Sequence, residues 1–261
     1  MKYICSWSGG KDSTASIILA HLKNEPLDTI IFSEVMFNDE ISGENPRHIE
    51  FIINKAKPLF ESWGYEVIIL RSEKTYMDIF NHVIEKPRKH LHHKGQKYGF
   101  AVTGLCSVKR DLKLKPINQY YKSIGNEPYI QYVGICIDEP KRLNSLHKDS
   151  SKISLLEKYN FTEKMAKELC EEYGLLSPCY ELSKRGGCWF CPNAKLEEHR
   201  QIKELYPDIW EFFVGLENET NLANNKWNVF GKSLKERNEK LNNEGQFYKQ
   251  MTLFDYLEFV S

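Results

Sequence analysis

The stretch KYICSWSGGKDST at residues 2–14 constrains the fold more than any other part of the sequence. A short apolar run ends in two consecutive glycines, and a segment with helical periodicity follows directly at residues 13–22. Gly9 and Gly10 permit backbone angles that other residues avoid, and they let a ligand approach the main chain closely. The sequence therefore predicts a β-strand at residues 2–7 that passes through a glycine turn into the first helix.

Strand-like and helix-like stretches alternate through the first half of the chain. Further strands are predicted at residues 29–37, 66–72 and 129–138, and a helix at 46–63 begins with Pro46, a favourable first helical residue. Strands separated by helices imply right-handed crossovers and a mostly parallel sheet. This pattern predicts an α/β fold in which ligands bind beyond the carboxyl ends of the strands.

The pattern changes at about residue 148. The stretches ISLLEKYNF, TEKMAKELCEEYG and KLEEHRQIKELY all have helical periodicity, and no strand is predicted after residue 138. A compact cysteine segment at 178–192 lies among them. We therefore predict an α/β nucleotide-binding domain at residues 1–147 and a helical C-terminal region at 148–261 that carries a cysteine cluster.

Composition and the N-terminal sequence exclude several classes of protein. The chain has 261 residues, enough for a sizeable core, and its formal net charge is zero, so any nucleic-acid contact needs a local basic patch. The N-terminus lacks the apolar region of a signal peptide, and no window approaches the roughly 18 apolar residues of a membrane span. Seven cysteines without a secretion signal favour thiols or metal ligands over disulfides. We expect a cytoplasmic protein that does not contact a membrane.

The loop SGGKDS at residues 8–13 has the composition of an anion-binding turn. Consecutive backbone N–H groups form an anion-binding concavity, and the following helix directs its positive N-terminal end to the same place. Ser8 and Ser13 add hydroxyl groups, and Lys11 adds a positive charge. Asp12 would repel a phosphate unless it caps the helix or acts through a metal ion, which suggests Mg²⁺. The alternative is a helix start with Asp12 as the N-cap and no ligand.

These residues resemble the PP-loop of the ATP pyrophosphatase, or adenine nucleotide alpha-hydrolase-like, superfamily. Within it, the chain most resembles the phosphoadenosine phosphosulfate (PAPS) reductase family. Three further stretches agree in order, which are MFNDEISGENPRHIEFI at 36–52, CSVKRDLKLKPI at 106–117 and VGICIDEPKRL at 133–143. The last departs from the family's motif, with Cys136 in place of arginine and Pro140 in place of serine. The resemblance implies a Rossmann-like, mostly parallel sheet.

The resemblance also implies an enzyme that binds ATP or a related adenine nucleotide with Mg²⁺. Such an enzyme cleaves at the α-phosphate, releases pyrophosphate and adenylates a substrate, and cationic groups and backbone dipoles offset the charge on the phosphoryl oxygens. Lys11 and Asp12 are the expected catalytic residues. The residues expected to bind the nucleotide and its metal are Ser8, Gly9, Gly10, Lys11, Asp12, Ser13, Asp39, Glu40, Gly134, Asp138, Glu139 and Arg142.

Cys188 and Cys191 form a CxxC pair, whose spacing suits either a shared metal ion or a redox disulfide. With Cys106 and Cys179 they resemble the arrangement in iron–sulfur members of the PAPS reductase family and in DndC-like proteins of DNA phosphorothioation. The resemblance implies a [4Fe–4S] cluster on these four cysteines, with Cys106 contributed from the first domain, that assists sulfur transfer or reduction. Structural Zn²⁺ on the same four residues and free or redox thiols are the alternatives.

The stretch at 86–122 is strongly basic, with ten lysines and arginines and one acidic residue. It suits contact with a nucleic-acid backbone such as that of tRNA or DNA, or it is simply a solvated face. A narrower interpretation places the phosphates or sulfate of a small nucleotide on Lys109, Arg110 and Lys113. The histidines at 90–93 are expected to be exposed, and a zinc site there is the less favoured alternative because no carboxylate or cysteine lies nearby in the sequence.

Two other functions stay open. APS and PAPS reductases form sulfite with a catalytic cysteine near the C-terminus, but the last cysteine here is Cys191. A partner subunit that binds nucleotide or nucleic acid with little turnover is the second alternative. For the leading function we expect a sulfur-donor or electron-donor protein as a further partner.

Overall fold

The computed structural model describes residues 1–87, 89–101, 106–181, 186–227 and 233–245. The chain divides into two compact units. Unit 1 comprises Met1–Tyr76 and Val108–Cys188, and unit 2 comprises Met77–Ser107 and Trp189–Ser261. This division differs from the predicted boundary at residue 147.

The strands are short and distributed over both units. They are β1 Lys2–Trp7, β2 Thr29–Glu34, β3 Glu66–Arg71, β4 Lys97–Gly99, β5 Tyr129–Tyr132, β6 Lys152–Ile153 and β7 Leu222–Asn224. The predicted strand at 129–138 ends at Tyr132, and the expectation of no strand after residue 138 is wrong because β6 and β7 follow. Both are too short, at two and three residues, to show the alternating pattern by which strands are found in a sequence.

Unit 1 contains a five-stranded sheet with the order β3-β2-β1-β5-β6, and every pairing in it is parallel. The α/β class and the mostly parallel sheet predicted from the sequence are confirmed. β1 is the central strand, with Cys5 opposite Ile30 of β2 on one side and Tyr132 of β5 on the other. Successive strands run outward from β1 to β3 and then restart at β5, so the order reverses beside β1. In open parallel sheets, the end of the strands at such a reversal is the usual ligand site.

Helices and helical turns connect these strands. The α-helices are α1 Lys11–Leu22, α2 Pro46–Phe51, α3 Lys57–Ser62, α4 Tyr76–Asn81, α5 Lys115–Ser123, α6 Pro140–Leu146, α7 Leu155–Lys158, α8 Glu163–Glu172, α9 Leu196–Leu205 and α10 Pro207–Gly215, and residues 234–245 are also helical. The predicted helix at 46–63 is present, but a π-helical segment, Ile52–Ala56, lies between α2 and α3. A second one, Lys109–Leu114, precedes α5. A proline follows each, Pro58 and Pro116, and lacks the N–H that continues an α-helix, which accounts for the widened turns.

The core of unit 1 surrounds β1, β2 and α1. Every residue of β2 is buried, and so are residues 13–20 of α1. α1 packs on α7 and α8 as well as on the sheet, so it is covered on several sides. This packing explains why residues 155–172 belong to unit 1 and not to a separate C-terminal domain.

The core of unit 2 contains many aromatic side chains. β4 pairs in parallel with β7, and α9 packs on α10. Trp189 and Phe190, which lie inside the CxxC pair, both contact the ring of Phe213 at centroid distances of 5.3 and 6.5 Å. They are buried core residues of this unit. Across the described ranges of the chain, none of the helices is both long enough and apolar enough to cross a membrane.

Candidate functional site

A cavity of about 460 Å³ lies in unit 1 at the carboxyl end of β1, where the chain enters α1. Its lining combines the glycine loop with residues from four more distant segments of the chain. These residues are Ser8, Gly10, Asp12, Ser13, Glu44, Lys113, Gly134, Arg142, Tyr180, Gly186 and Gly187. Seven of them belong to the set predicted from the sequence, and the fold brings those seven together.

The glycine loop adopts a conformation that needs glycine at its first position. Gly9 has φ +71°, and a Cβ added there would lie 2.5 Å from His48 Cε1 and 2.8 Å from Ile52 Cδ1. Gly10 is the N-cap of α1 and has extended backbone angles. The alternative that made Asp12 the N-cap is therefore wrong, because Asp12 lies inside the first turn of the helix.

Gly134 allows the β5–α6 connection to lie directly against the start of α1. A Cβ on this residue would lie 2.6 Å from Asp12 C and Ser13 N, which are backbone atoms of the first turn of α1. No side chain fits between these two segments. Glycine is needed at this position because two backbones meet, and their meeting forms one wall of the cavity.

Three side-chain hydroxyl groups form hydrogen bonds with backbone groups of the loop. Ser13 Oγ accepts a hydrogen bond from Ser8 N at 3.2 Å and donates one to Gly10 O at 3.1 Å. Ser8 Oγ accepts from Gly10 N at 3.3 Å. Tyr180 Oη accepts from Lys11 N at 3.1 Å. The Tyr180 phenol thus occupies a position that suits an anionic oxygen, and sequence reasoning missed this residue because it lies 169 positions from Lys11.

Lys11 is not among the cavity-lining residues. Its ammonium group lies 2.6 Å from Asp12 Oδ1 and 2.8 Å from Glu163 Oε2. Burial opposes the charge on Lys11, but the hydrogen bonds to these two carboxylates outweigh it and raise its pKa above the ordinary value. The cationic side chains that line the cavity are instead Lys113 and Arg142.

Two carboxylates, Asp12 and Glu44, line the cavity. Glu44 is buried and forms an ion pair with Lys113, with 2.7 Å between Oε1 and Nζ. Cys136 donates its S–H to Asp12 Oδ1 at 3.4 Å, and burial followed by the charge of Asp12 raises the pKa of this thiol. Cys136 is thus a neutral thiol beside Asp12. Carboxylate oxygens are the ligands that Mg²⁺ prefers, and Asp12 and Glu44 are the two residues of the lining that could supply them.

His48 contacts the backbone of the glycine loop, and it was not predicted from the sequence as a site residue. It is 1% exposed, with Nε2 3.1 Å from Ser8 O and Nδ1 2.7 Å from Ser177 Oγ. Burial lowers the pKa of His48, so the ring is neutral and carries one N–H. Since Ser8 O can only accept, Nε2–H donates to it, and Nδ1 accepts from the Ser177 hydroxyl. No periodicity or spacing in the sequence marks this residue.

Besides Gly9 and Lys11, four more predicted nucleotide-binding residues lie outside the cavity lining. Asp39 and Glu40 are exposed in a turn after β2, where Asn38 Oδ1 accepts from Glu40 N at 3.0 Å. Asp138 accepts from Glu163 N at 3.2 Å and so caps the start of α8. The Glu139 carboxylate accepts from Cys136 N and forms an ion pair with Arg142. Asp138 and Glu139 therefore accept hydrogen bonds from backbone N–H groups, and Glu139 also pairs with Arg142.

The basic stretch contributes one residue to the cavity, Lys113. Lys109 and Arg110 are exposed, and the guanidinium of Arg110 pairs with Asp111 at 2.6 Å. Arg88 and residues 102–105 of this stretch lie outside the described residues.

The four cysteines predicted as metal ligands are divided between the two units. Cys179 and Cys188 belong to unit 1, and Cys106 and Cys191 belong to unit 2. Cys179 is buried, with Sγ 3.2 Å from Ser177 Oγ and 3.7 Å from His48 Nδ1. No disulfide joins any of the seven cysteines, all of which lie in the described ranges.

Comparison with known proteins gives no family for this chain. No protein-family model matches it, and no curated protein matches it. The function is therefore argued from the site itself.

Proposed function

We propose that the cavity at the end of β1 binds the phosphates of ATP, or of a related adenine nucleotide, with Mg²⁺ and supports cleavage at the α-phosphate. The observation that carries this proposal is the glycine-lined start of α1, where Gly10 is the N-cap and a Cβ on Gly134 would lie 2.6 Å from backbone atoms of Asp12 and Ser13. These two glycines add no side chain of their own at the positive end of a 12-residue helix, where the Tyr180 hydroxyl accepts from Lys11 N. Such a place is selective for anionic oxygens.

The side chains around the cavity support a polyphosphate ligand. The backbone amides of residues 10 and 11 and the hydroxyls of Ser8 and Ser13 would donate to phosphate oxygens, with the phosphate replacing the Tyr180 phenol at Lys11 N. Lys113 and Arg142 would neutralise the phosphate charge. Asp12 and Glu44 would hold Mg²⁺, which offsets charge on the phosphate oxygens when bound. Lys11, already 2.6 Å from Asp12 Oδ1, would hold that carboxylate in place.

The cysteines support a proposed role in sulfur chemistry. Thiol sulfurs are the usual ligands of [4Fe–4S] clusters and also bind Zn²⁺, and the chain supplies the expected ligands Cys106, Cys179, Cys188 and Cys191. With a cluster, the enzyme would be a PAPS reductase-family sulfurtransferase or reductase, served by a sulfur-donor or electron-donor protein. The acceptor would be a small molecule or a nucleic acid that contacts the basic stretch.

The nucleotide proposal is tested by calorimetric titration with ATP, AMP and pyrophosphate in the presence of Mg²⁺, together with a pyrophosphate-release assay. Lys113→Gln alone would leave Glu44 as a buried unpaired charge, so the informative variant is Lys113→Gln combined with Glu44→Gln. We expect ATP to bind the wild type and to bind this variant at least about tenfold more weakly, a loss of ~1.4 kcal/mol.

The matched control is Lys57→Gln, because Lys57 pairs with Glu61 within one helix and is absent from the cavity lining. Equal ATP affinity in the control and the double variant would contradict a phosphate site at Lys113. Failure of any adenine nucleotide to bind the wild type at millimolar concentration would overturn the proposal as a whole.

The cysteine proposal is tested by elemental analysis and an optical spectrum on protein purified without oxygen. A brown protein that contains iron and loses its colour in Cys188→Ser would support the cluster. A colourless protein with stoichiometric zinc would contradict the cluster and support a structural zinc site. Protein that contains neither metal would contradict both.

A further inference from the structure

Three histidines in unit 2 form a second group of donor atoms that the proposed nucleotide site does not use. His90, His92 and His93 each offer one ring nitrogen, and these three atoms all lie within 4.8 Å of one another. The ring centroids of His92 and His93 are 4.1 Å apart, and His90 lies 5.7 and 5.4 Å from them. His90 and His92 are exposed and His93 is half-buried, so the group is open to ions from solvent.

The backbone fixes the turn that presents these side chains. Leu91–His93 is a 3₁₀ turn, and His93 N donates to His90 O at 3.0 Å. The two ends of the segment are joined where Ile84 N donates to Gln96 O and Gly95 N donates to Ile84 O, each at 2.9 Å. Gly95 has φ +82°, which glycine adopts without strain. The three rings therefore project from a short closed loop, which lowers the entropy cost of gathering them around one ion.

A neighbouring amide sets the tautomer of one histidine. His93 Nδ1 lies 2.6 Å from Gln96 Oε1. An amide oxygen only accepts, so Nδ1 carries the hydrogen and Nε2 keeps its lone pair. Metal-binding histidines in proteins are commonly oriented in this way, by a second residue that accepts a hydrogen bond from the other ring nitrogen.

We infer that His90, His92 and His93 bind a divalent transition-metal ion such as Zn²⁺, with water completing the coordination. Neutral imidazole suits ions of intermediate softness, and three imidazoles without a carboxylate do not suit Mg²⁺ or Ca²⁺. The positive charges of Lys89 and Lys94, both exposed and next to the histidines in sequence, oppose a cation and make the affinity moderate. This site is separate from the nucleotide proposal and does not depend on it.

Cobalt(II) titration of the untagged full-length protein tests the inference, because Co²⁺ reports its ligands in its spectrum. The experiment uses the Cys188→Ser/Cys191→Ser background, which removes the CxxC thiols, beside the wild type. We expect binding of one Co²⁺ with a visible d–d band and no thiolate-to-cobalt charge-transfer band. Zn²⁺ should displace the cobalt and abolish the band.

Replacing His92 and His93 together with alanine should weaken Co²⁺ binding at least tenfold. The control is His147→Ala, which removes an exposed histidine that pairs with Glu157 in unit 1 and should leave the titration unchanged. Circular dichroism of each variant verifies the fold. Equal binding by the His92/His93 variant, or a band that requires the CxxC thiols, would overturn the inference.

Discussion

The loop region of unit 1 and the aromatic region of unit 2 each bury a histidine, but in different surroundings. His48 contacts Ser8 and Ser177 through both ring nitrogens, beside glycines that leave no room for a methyl group. His199 lies between the rings of Trp210 and Trp227, at centroid distances of 4.9 and 5.0 Å. The first region is specified by hydrogen bonds and close backbone approach, and the second by ring packing. We therefore expect the stability of the first region to depend on the addition or loss of single chemical groups. The stability of the second should depend on the protonation of its buried histidine.

The largest expected effect comes from one added methyl group in the loop. Gly9→Ala places a Cβ 2.5 Å from His48 Cε1 at a residue with φ +71°. Overpacking and the left-handed backbone together should cost about 2–5 kcal/mol of unfolding free energy. Calorimetric unfolding of the variant measures this loss, together with its ATP affinity.

Gly215→Ala in unit 2 is the matched control. Gly215 ends α10 with φ −58°, and a Cβ there meets no atom within 4 Å. Similar unfolding temperatures for the two variants would show that the loop tolerates a side chain and would remove the contrast between the regions.

The aromatic region should lose stability in acid. Burial, followed by the charge of Arg237, lowers the pKa of His199 to about 3, against 6.5 in the unfolded chain. The unfolded state thus binds a proton that the folded state does not, so stability is fully present above pH 6.5 and falls as the pH approaches 3. At pH 4.5, protonation of this histidine in the unfolded state should lower the free energy of unfolding by about 2–3 kcal/mol relative to pH 7.5.

Thermal unfolding of the wild type and of His199→Phe between pH 7.5 and 4.5 measures this contribution. The variant should show the smaller decline, whereas His147→Ala should follow the wild type because that histidine is exposed. Parallel curves for the wild type and His199→Phe would contradict a buried neutral histidine.

A smaller effect is expected from the polar contacts of His48. His48→Leu keeps an apolar filling but leaves Ser8 O and the Ser177 hydroxyl without this partner, which should cost about 1–3 kcal/mol. His48→Gln can still donate to Ser8 O through its amide and should recover part of the stability and of the nucleotide affinity. Equal values for the two variants would mean that the ring acts only by filling space.

The smallest expected effect concerns Asp138 at the edge of unit 1. Asp138→Ala removes the acceptor for Glu163 N at the start of α8 and should cost about 1 kcal/mol, as losing a helix cap does. Unfolding free energy and ATP affinity are measured on the same variant. A loss of affinity well beyond the loss of stability would support the sequence-based role of Asp138 as a nucleotide-binding residue over its observed role as a cap.

Residues close together in sequence were predicted best. The first strand, the glycine turn and the first helix follow from twenty-one consecutive residues, 2–22, and Ser8, Gly10, Asp12 and Ser13 do line one cavity. By contrast, Asp39 and Glu40 lie outside its lining although the motif that contains them was identified. A motif indicates that a segment approaches the site, but side-chain direction depends on the turn that the segment makes.

What the sequence by itself determined is the alternation of strands and helices, the parallel sheet and the glycine-rich turn after β1, since these depend on local periodicity and backbone freedom. Only the tertiary structure decided that Tyr180, Glu44 and His48 surround that turn and that Lys11 faces Asp12 and Glu163. It also placed residues 155–172 with the sheet and divided the cysteines between two units. The physical reason is that long-range contacts depend on how helices pack across the sheet, and no pattern of neighbouring residues records that packing.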